Sequence, residues 1–182
     1  MPLPQSKFRE VIFVLLYSQD TGNSRSDEIV SLVMKELSVT KKNVYLAMDK
    51  VELIRAKQDE IDALITKTSR DYQFERIQTV ERNVLRLGIY EMLYDDEIPP
   101  KVAIAEALRL SRKFSTPEST SFVNAILDHI YRGPEDKVSD KEIEESAAIL
   151  EKSSAHINEL IQAQERGEIS FEPIKNIDHI EE

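Results

Sequence analysis

ERNVLRLGIYEMLYDDEIPPKVAIAEALRLSRKFSTPESTSFVNAILDHIYR, residues 81–132, is the stretch of the sequence that decides the fold. Its first part places apolar side chains at helical spacing on almost every side of a helix. They are Val84, Leu85, Leu87, Ile89, Tyr90, Met92 and Leu93, with Gly88 among them. Because little polar face remains, we expect this helix to be central and buried.

Two further helices follow, each with its own start signal. Pro99 and Pro100 break the chain after an acidic turn, and one face of the helix predicted from about 101 to 114 is apolar. Three residues mark the start of a third helix: Thr116 can cap it, Pro117 suits its first turn, and Glu118 complements the helix dipole. Three helices joined by short links predict a compact all-α bundle.

The sequence before this stretch predicts a second set of helices. Apolar spacing favours helices over residues 7–20 and 27–37, and Thr40 can cap a long third helix that reaches toward Thr66. The chain therefore divides into two helical halves, about 1–66 and 74–132, which we expect to pack as one body covering residues 1–132. The segment between them, 67–78, has helical potential of its own.

The charge of the chain is concentrated in its last fifty residues. Residues 1–132 hold 19 basic and 20 acidic residues, a net charge of −1, whereas 133–182 hold 5 and 14, a net of −9. Within this acidic extension, apolar residues near heptad spacing predict an amphipathic helix over about 140–166. Its stripe could fold back on the body, self-associate or enter a partner's groove. We expect Gly167–Glu182 to be mobile.

The side chains that carry catalysis or bind metals are absent or scattered. There is no cysteine, and the three histidines, His129, His156 and His179, lack the spacing of a helical metal pair. No phosphate-binding glycine loop or nucleophile motif is present. We therefore expect no enzyme, no metal and no cofactor. The longest apolar run has seven residues, far fewer than the roughly 20 needed to span a bilayer, so a cytoplasmic protein is expected.

Residue types suited to single-stranded RNA are present, because cations can hold phosphates and an aromatic ring can stack on a base. The candidates are Lys7, Arg9, Arg76, Arg82, Arg86 and Phe122. Each also has an ordinary structural interpretation. A phenylalanine four residues before Ile126 is typical of a core position, and dispersed arginines are typical of a solvated face.

The pattern ERNVLRLGIYEMLY, an acidic turn, IPPKVAIAEALRLSRKF and SFVNAILDHI closely resembles the NusB family of bacterial transcription antitermination proteins. FREVIFVLLYSQD near the start also looks like the first helix of that family. The resemblance implies an all-helical NusB fold. It also implies binding to the boxA RNA of ribosomal RNA operon leaders together with ribosomal protein NusE. That pair joins other Nus factors on RNA polymerase and suppresses premature termination.

The resemblance also implies roles for particular residues. Those expected to meet RNA are Lys7, Arg9, Arg76, Glu118, Ser119 and Phe122. Those expected on the NusE surface are Tyr17, Glu75 and Glu81. The oligomeric state, monomer or homodimer, is left open.

Two features depart from the family pattern. Many members begin with an arginine-rich segment, but MPLPQSKFRE has one lysine and one arginine, which predicts weak binding to RNA alone. We hypothesise that NusE supplies a second basic surface and completes a composite site. The acidic extension is the other departure, and its helix could lie over basic groups and compete with phosphates.

Two alternative functions remain at this point. The chain could be a NusB-like adaptor or dimerisation module with weak or no RNA binding, using the apolar stripe of the extension as its contact. It could also be an RNA-modifying enzyme, since NusB-like domains also occur beside RNA methyltransferase domains, but the length of the chain disfavours this and we expect no cofactor-binding α/β domain after the helical body.

Overall fold

The helix predicted to be central, α5 (Thr79–Tyr94), has buried side chains on nearly all sides. The structure is a computed structural model that describes residues 3–22, 26–69, 72–133 and 137–166. Within these ranges the chain forms eight α-helices and one 3-10 turn, with no β-strand. The all-α prediction is therefore confirmed.

Four helices precede α5. They are α1 (Gln5–Asp20), α2 (Ser26–Leu37), α3 (Lys41–Ala56) and α4 (Gln58–Ser69). As predicted, Thr40 caps α3, because its hydroxyl accepts a hydrogen bond from the backbone N–H of Asn43 at 3.4 Å. The apolar faces of α1 and α3 meet in the core through side chains such as Val11, Leu16 and Val51.

The single long helix predicted from Thr40 toward Thr66 is instead two helices. The break falls at Lys57, whose backbone is non-helical and whose N–H donates to the carbonyl of Ile54. Ile54 and Ile61 on either side of the break are both fully buried. The break lets α3 pack mainly on α1 while α4 turns to pack on α5 and α7. No proline or glycine marks this position, so the sequence gives no local sign of it.

The second half contains a 3-10 turn (Phe74–Arg76), α5, α6 (Pro100–Phe114) and α7 (Pro117–Arg132). Gly88 brings α5 and α6 together, because a Cβ atom added there would lie 2.9 Å from the Cβ of Ala107. Any larger side chain at position 88 would separate the two helices. At the end of α7, Gly133 has a φ of 92°, which glycine adopts without steric cost.

The acidic extension forms α8 (Lys137–Glu165), which lies along α7. Three of its apolar side chains, Ile143, Ala147 and Leu150, are buried at intervals of four and three residues. Of the three possibilities for its apolar stripe, the structure shows the first, because α8 folds back on the body. The expectation of mobility for Gly167–Glu182 concerns residues outside the described ranges.

Buried ion pairs join the helices of the body. Arg86 on α5 donates to both carboxylate oxygens of Asp62 at 2.8 and 2.7 Å and to Asp20 at 2.6 Å. Asp20 also accepts from Arg55 at 2.7 Å, so one carboxylate ties α1 to α3 and α5. Arg86 is therefore structural in this fold, and the possibility that it holds RNA phosphates is not supported, since its guanidinium is buried.

Candidate nucleic-acid interface

The two cations predicted at the start of α1 have different environments. Lys7 is partly exposed and lies 3.4 Å from Glu10. Arg9 is buried, and its Nε lies 2.9 Å from both carboxylate oxygens of Glu91, while Nη1 lies 3.6 Å from Glu106. Burial raises the pKa of Glu91, although the hydrogen bond from Arg9 opposes that rise. Arg9 therefore fastens α1 to α5 and α6 and is not offered to RNA in this structure.

Two cations that the sequence interpretation did not assign to RNA lie beside Lys7. Arg109 and Lys113 each donate to the buried carboxylate of Glu10 at 2.9 Å. Arg109 also pairs with Glu106 at 3.1 Å. Burial disfavours the charge on Glu10, but the hydrogen bonds from Lys113 and Arg109 outweigh it and lower the pKa of Glu10. Arg109 and Lys113 lie four residues apart on the polar face of α6, and this spacing is the sequence signal that could have identified them.

We call Lys7, Arg109 and Lys113 the Glu10 cation cluster. Each of the three side chains retains between 32% and 47% of its exposure, so each can reach solvent and the phosphates of a ligand. Glu10 in contrast is 5% exposed and cannot project beyond them. The cluster is therefore the positive surface that joins the start of α1 to the end of α6.

The start of α7 holds two of the predicted RNA residues. The backbone N–H of Ser119 donates to the hydroxyl of Thr116 at 3.2 Å, and the hydroxyl of Thr116 donates to that of Ser119 at 3.3 Å. Ser119 is buried and serves this cap, whereas Glu118 is partly exposed. The loop between α6 and α7 begins at Ser115, two residues after Lys113, so this helix start follows the Glu10 cation cluster closely along the chain.

Phe122 was predicted to offer its ring to a base, but it is fully buried. Its side chain points into the core from the inward face of α7, and its ring centroid lies 5.3 Å from that of Tyr72. A base cannot stack on a ring whose faces are already covered. The interpretation of this phenylalanine as a core residue is the one that the structure supports.

Arg76 lies under the acidic helix. Its Nη2 lies 2.7 Å from the Oε1 of Glu151 on α8, and its guanidinium carbon lies 5.7 Å from the centre of the Tyr72 ring. Both partners of the ion pair are half exposed. A carboxylate of this same chain thus occupies the position at which Arg76 would hold a phosphate.

A cleft of about 670 Å³ lies between the body and α8. One wall comes from the start of α5 and the loop between α6 and α7, and the other wall comes from α8. The lining of the cleft includes Glu81, Ser115, Glu118, Ser119, Ser154 and Asn158. The cleft therefore brings together Glu118, Ser119 and Glu81, which the sequence assigned to two different partners.

The three residues predicted on the NusE surface differ in exposure. Tyr17 on α1 and Glu75 in the 3-10 turn are exposed. Glu81 is buried, and one of its oxygens accepts a hydrogen bond from the hydroxyl of Ser115. Its other oxygen is buried and has no hydrogen-bond partner in the part of the chain that the structure describes. Glu81 therefore faces the cleft under α8 and not an open surface.

A model of the NusB family matches residues 6–132, which is more than half of the chain. The chain belongs to the NusB family. The NusB match ends where α7 ends, so α8 lies outside it. The two helical halves that surround the Glu10 cation cluster are therefore the NusB part of the molecule, and the acidic helix is an addition to it.

Relatives with known names agree with this assignment. The transcription antitermination protein NusB of Chlamydia pneumoniae is 38% identical over 128 residues, which are 70% of this chain and 80% of that protein. NusB of Desulforudis audaxviator is 32% identical over 128 residues, which are 70% of this chain and 93% of that protein. The chain is thus a NusB antitermination factor. Its family confirms the expectation that it is not an enzyme.

Two solved structures share the fold. A crystal form of T. maritima NusB has a TM-score of 0.61 at 29% identity and covers 78% of this chain and 99% of that one. A complex of the antitermination factors NusB and NusE with double-stranded RNA has a TM-score of 0.60 at 28% identity, covering 70% and 96%. Among the described helices of this chain, none is long and apolar enough to cross a membrane.

Proposed function

We propose that the chain binds the boxA RNA of ribosomal RNA operon leaders together with ribosomal protein NusE and so prevents premature termination of rRNA transcription. The observation that carries this proposal is the similarity of the helical body to NusB in the solved assembly with NusE and RNA. The proposal includes a cytoplasmic location and joint action with other Nus factors and RNA polymerase, since a nascent transcript must be held near the enzyme that makes it.

RNA contact is proposed for the surface that runs from the Glu10 cation cluster to the start of α7. Lys7, Arg109 and Lys113 can hold phosphates, because each is a cation whose side chain is partly exposed. At the end of α6 this surface continues into Glu118, whose carboxylate can accept hydrogen bonds from the N–H groups of an unpaired base. Phe122 supports this surface from within the core.

The proposed surface brings three of the described cations to RNA, so NusE has a defined role in the proposal. Each phosphate contact on a single strand adds about 0.7 to the steepness with which log K falls against log salt concentration. Three cations that make such contacts support only a modest affinity for RNA. NusE would add a second basic surface to the same RNA. Tyr17 and Glu75 are the exposed residues proposed for the contact with NusE.

The adaptor function receives less support from the structure. That alternative relied on the apolar stripe of the extension as a free contact surface. The described part of the stripe is not free, because Ile143, Ala147 and Leu150 are buried. A partner would first have to displace α8 from α7.

Specificity for the RNA sequence tests the proposed function. Fluorescence anisotropy would compare the full chain with NusE on labelled boxA RNA and on a scrambled RNA of the same length and base composition. We expect boxA to bind at least about tenfold more tightly, as sequence readout adds to the phosphate contacts that both RNAs share. Equal affinity for the two RNAs would overturn boxA recognition.

A further inference from the structure

We propose that α8 is an internal cover of the RNA surface, so that RNA and a docked α8 exclude each other. The inference rests on the proposed function and adds a mechanism that controls it. It follows from where α8 docks, from which charges it carries and from the cleft that it borders.

The docking position overlaps the start of α7, which belongs to the surface proposed for RNA, and Arg76, which the family resemblance assigns to RNA. Glu151 holds the guanidinium of Arg76 at 2.7 Å. Farther along α8, Ser154 and Asn158 face Glu118 and Ser119 across the cleft. An RNA strand that contacts Arg76 and the start of α7 would have to pass through the space that α8 fills.

The charge of α8 suits it to replace a nucleic acid. Its span, 137–165, contains seven acidic and three basic residues, a net charge of −4. Glu151 presents a carboxylate to Arg76 where RNA would present a phosphate, and both anions accept the same N–H donors. Competition between the helix and RNA should therefore be strongest at low salt.

The cover borders an open cleft along part of its length. Among the described side chains of this 29-residue helix, the buried apolar ones are Ile143, Ala147 and Leu150, all in its first half. Beyond Leu150 the helix borders the cleft of about 670 Å³. An RNA strand could enter the cleft from that end.

Attachment to α7 makes the competition intramolecular. Only residues 134–136 separate Gly133 at the end of α7 from the start of α8. A short tether gives α8 a high effective concentration at its docking surface. The measured RNA affinity is then reduced by the fraction of molecules in which α8 is undocked.

Two substitutions at neighbouring positions of α8 separate docking from charge. Leu150 is 5% exposed and Ile149 is 52% exposed, so Leu150→Asp should release α8, while Ile149→Asp adds the same charge and leaves it docked. Labelled boxA RNA would be titrated with each full-chain variant, with and without NusE. We expect Leu150→Asp to bind at least about tenfold more tightly than Ile149→Asp at low salt.

The outcomes distinguish the cover from the proposed function. If both variants prefer boxA over scrambled RNA and bind it equally, the proposed function stands and the cover is overturned. If neither variant prefers boxA under any condition, the proposed function itself fails. If both variants prefer boxA and Leu150→Asp binds it at least about tenfold more tightly than Ile149→Asp, both are supported.

A gentler pair of variants keeps the inference testable if Leu150→Asp does not fold. Glu151→Gln removes the carboxylate that faces Arg76, and Glu145→Gln removes an exposed carboxylate of α8 that pairs with Lys141 instead. Glu151→Gln should strengthen boxA binding about two- to fivefold more than Glu145→Gln does. Equal effects would show that only the overall charge matters and would overturn the cover.

Hydrogen exchange supplies a readout that does not depend on affinity. If RNA displaces α8, saturating boxA RNA with NusE should speed amide exchange in residues 143–151 of the unaltered chain. Unchanged or slower exchange in that segment, with RNA bound, would overturn mutual exclusion.

Discussion

Lys113 at the end of α6 and Glu10 on α1 are joined by a hydrogen bond of 2.9 Å between Nζ and Oε2. The buried carboxylate of Glu10 gathers Lys113, Arg109 and Lys7 on one surface without itself reaching solvent. One acidic residue thereby holds three cations at the place where the proposed RNA surface begins. The same ion pair fastens α6 to α1, so the positive surface is part of the packing of the body.

Lys113→Ala should weaken RNA binding through the loss of a phosphate contact. We expect the slope of log K against log salt to fall by about 0.7, equally for boxA and for scrambled RNA, because a phosphate contact carries no sequence information. Titrations at several salt concentrations measure this slope. Lys101→Ala is the matched control, since it removes the same charge from the exposed opposite end of α6. Identical slopes for the two variants would rule out a phosphate contact at Lys113.

Phe122→Leu tests whether Phe122 is a core residue or a ring on which an RNA base stacks. Because the ring is buried, Phe122→Leu should lower the free energy of unfolding, by less than the roughly 3–5 kcal/mol expected of Phe122→Ala. The RNA affinity of the folded protein should be unchanged. A ring that stacks on a base would instead cost about 1–3 kcal/mol of binding. Urea denaturation and RNA titration of the same samples give both quantities. Tyr131→Ala on the exposed side of α7 serves as the control for stability.

Gly88→Ala should destabilise the fold although alanine favours helices. The gain in helix propensity is about 1 kcal/mol, but the added Cβ would lie 2.9 Å from the Cβ of Ala107, and overpacking of this kind costs about 1–3 kcal/mol. Denaturation of Gly88→Ala measures the net loss. In an Ala107→Gly background, where room is restored, the same change should become neutral or stabilising. A more stable Gly88→Ala in the unaltered background would contradict the close approach of α5 and α6.

Stability should fall in acid partly through Asp20. Burial opposes ionisation of Asp20, but hydrogen bonds from Arg55 and Asn83 and the charge of Arg86 outweigh it and lower the pKa of Asp20. A carboxyl group with a lowered pKa stabilises the fold above its unfolded pKa of about 3.9 and loses that contribution as the pH falls through the folded value. Urea denaturation between pH 7 and pH 3 should therefore show a smaller decline for Asp20→Asn than for the unaltered chain. Parallel declines would contradict this linkage.

The sequence predicted the helices of the deciding stretch well because each signal there is local. Pro100 begins α6, Thr116 caps α7, and the nearly continuous apolar surface of α5 required a central position. The break between α3 and α4 was not predictable in this way. Ile54 and Ile61 are seven residues apart, as one continuous helix would also place them, and only packing against α1, α5 and α7 separates the two helices.

The site was less predictable because its residues depend on partners far away in the chain. Arg9 was assigned to RNA by its position near the start, but Glu91, 82 residues later, holds it inside the body. Arg109 lies close to Lys7 because it contacts both Glu10 and the carbonyl of Ser6. Charge counting placed the acidity in the extension, yet it could not show that Glu151 lies on Arg76.

Joint binding of RNA by this chain and NusE is measured by three titrations of labelled boxA RNA at one salt concentration. They use the chain alone, NusE alone and an equimolar mixture. We expect the mixture to bind at least about tenfold more tightly than the better single protein, since two linked surfaces hold one strand, and to lose that gain on scrambled RNA. A mixture that binds boxA no more tightly than the better single protein would contradict a composite RNA site.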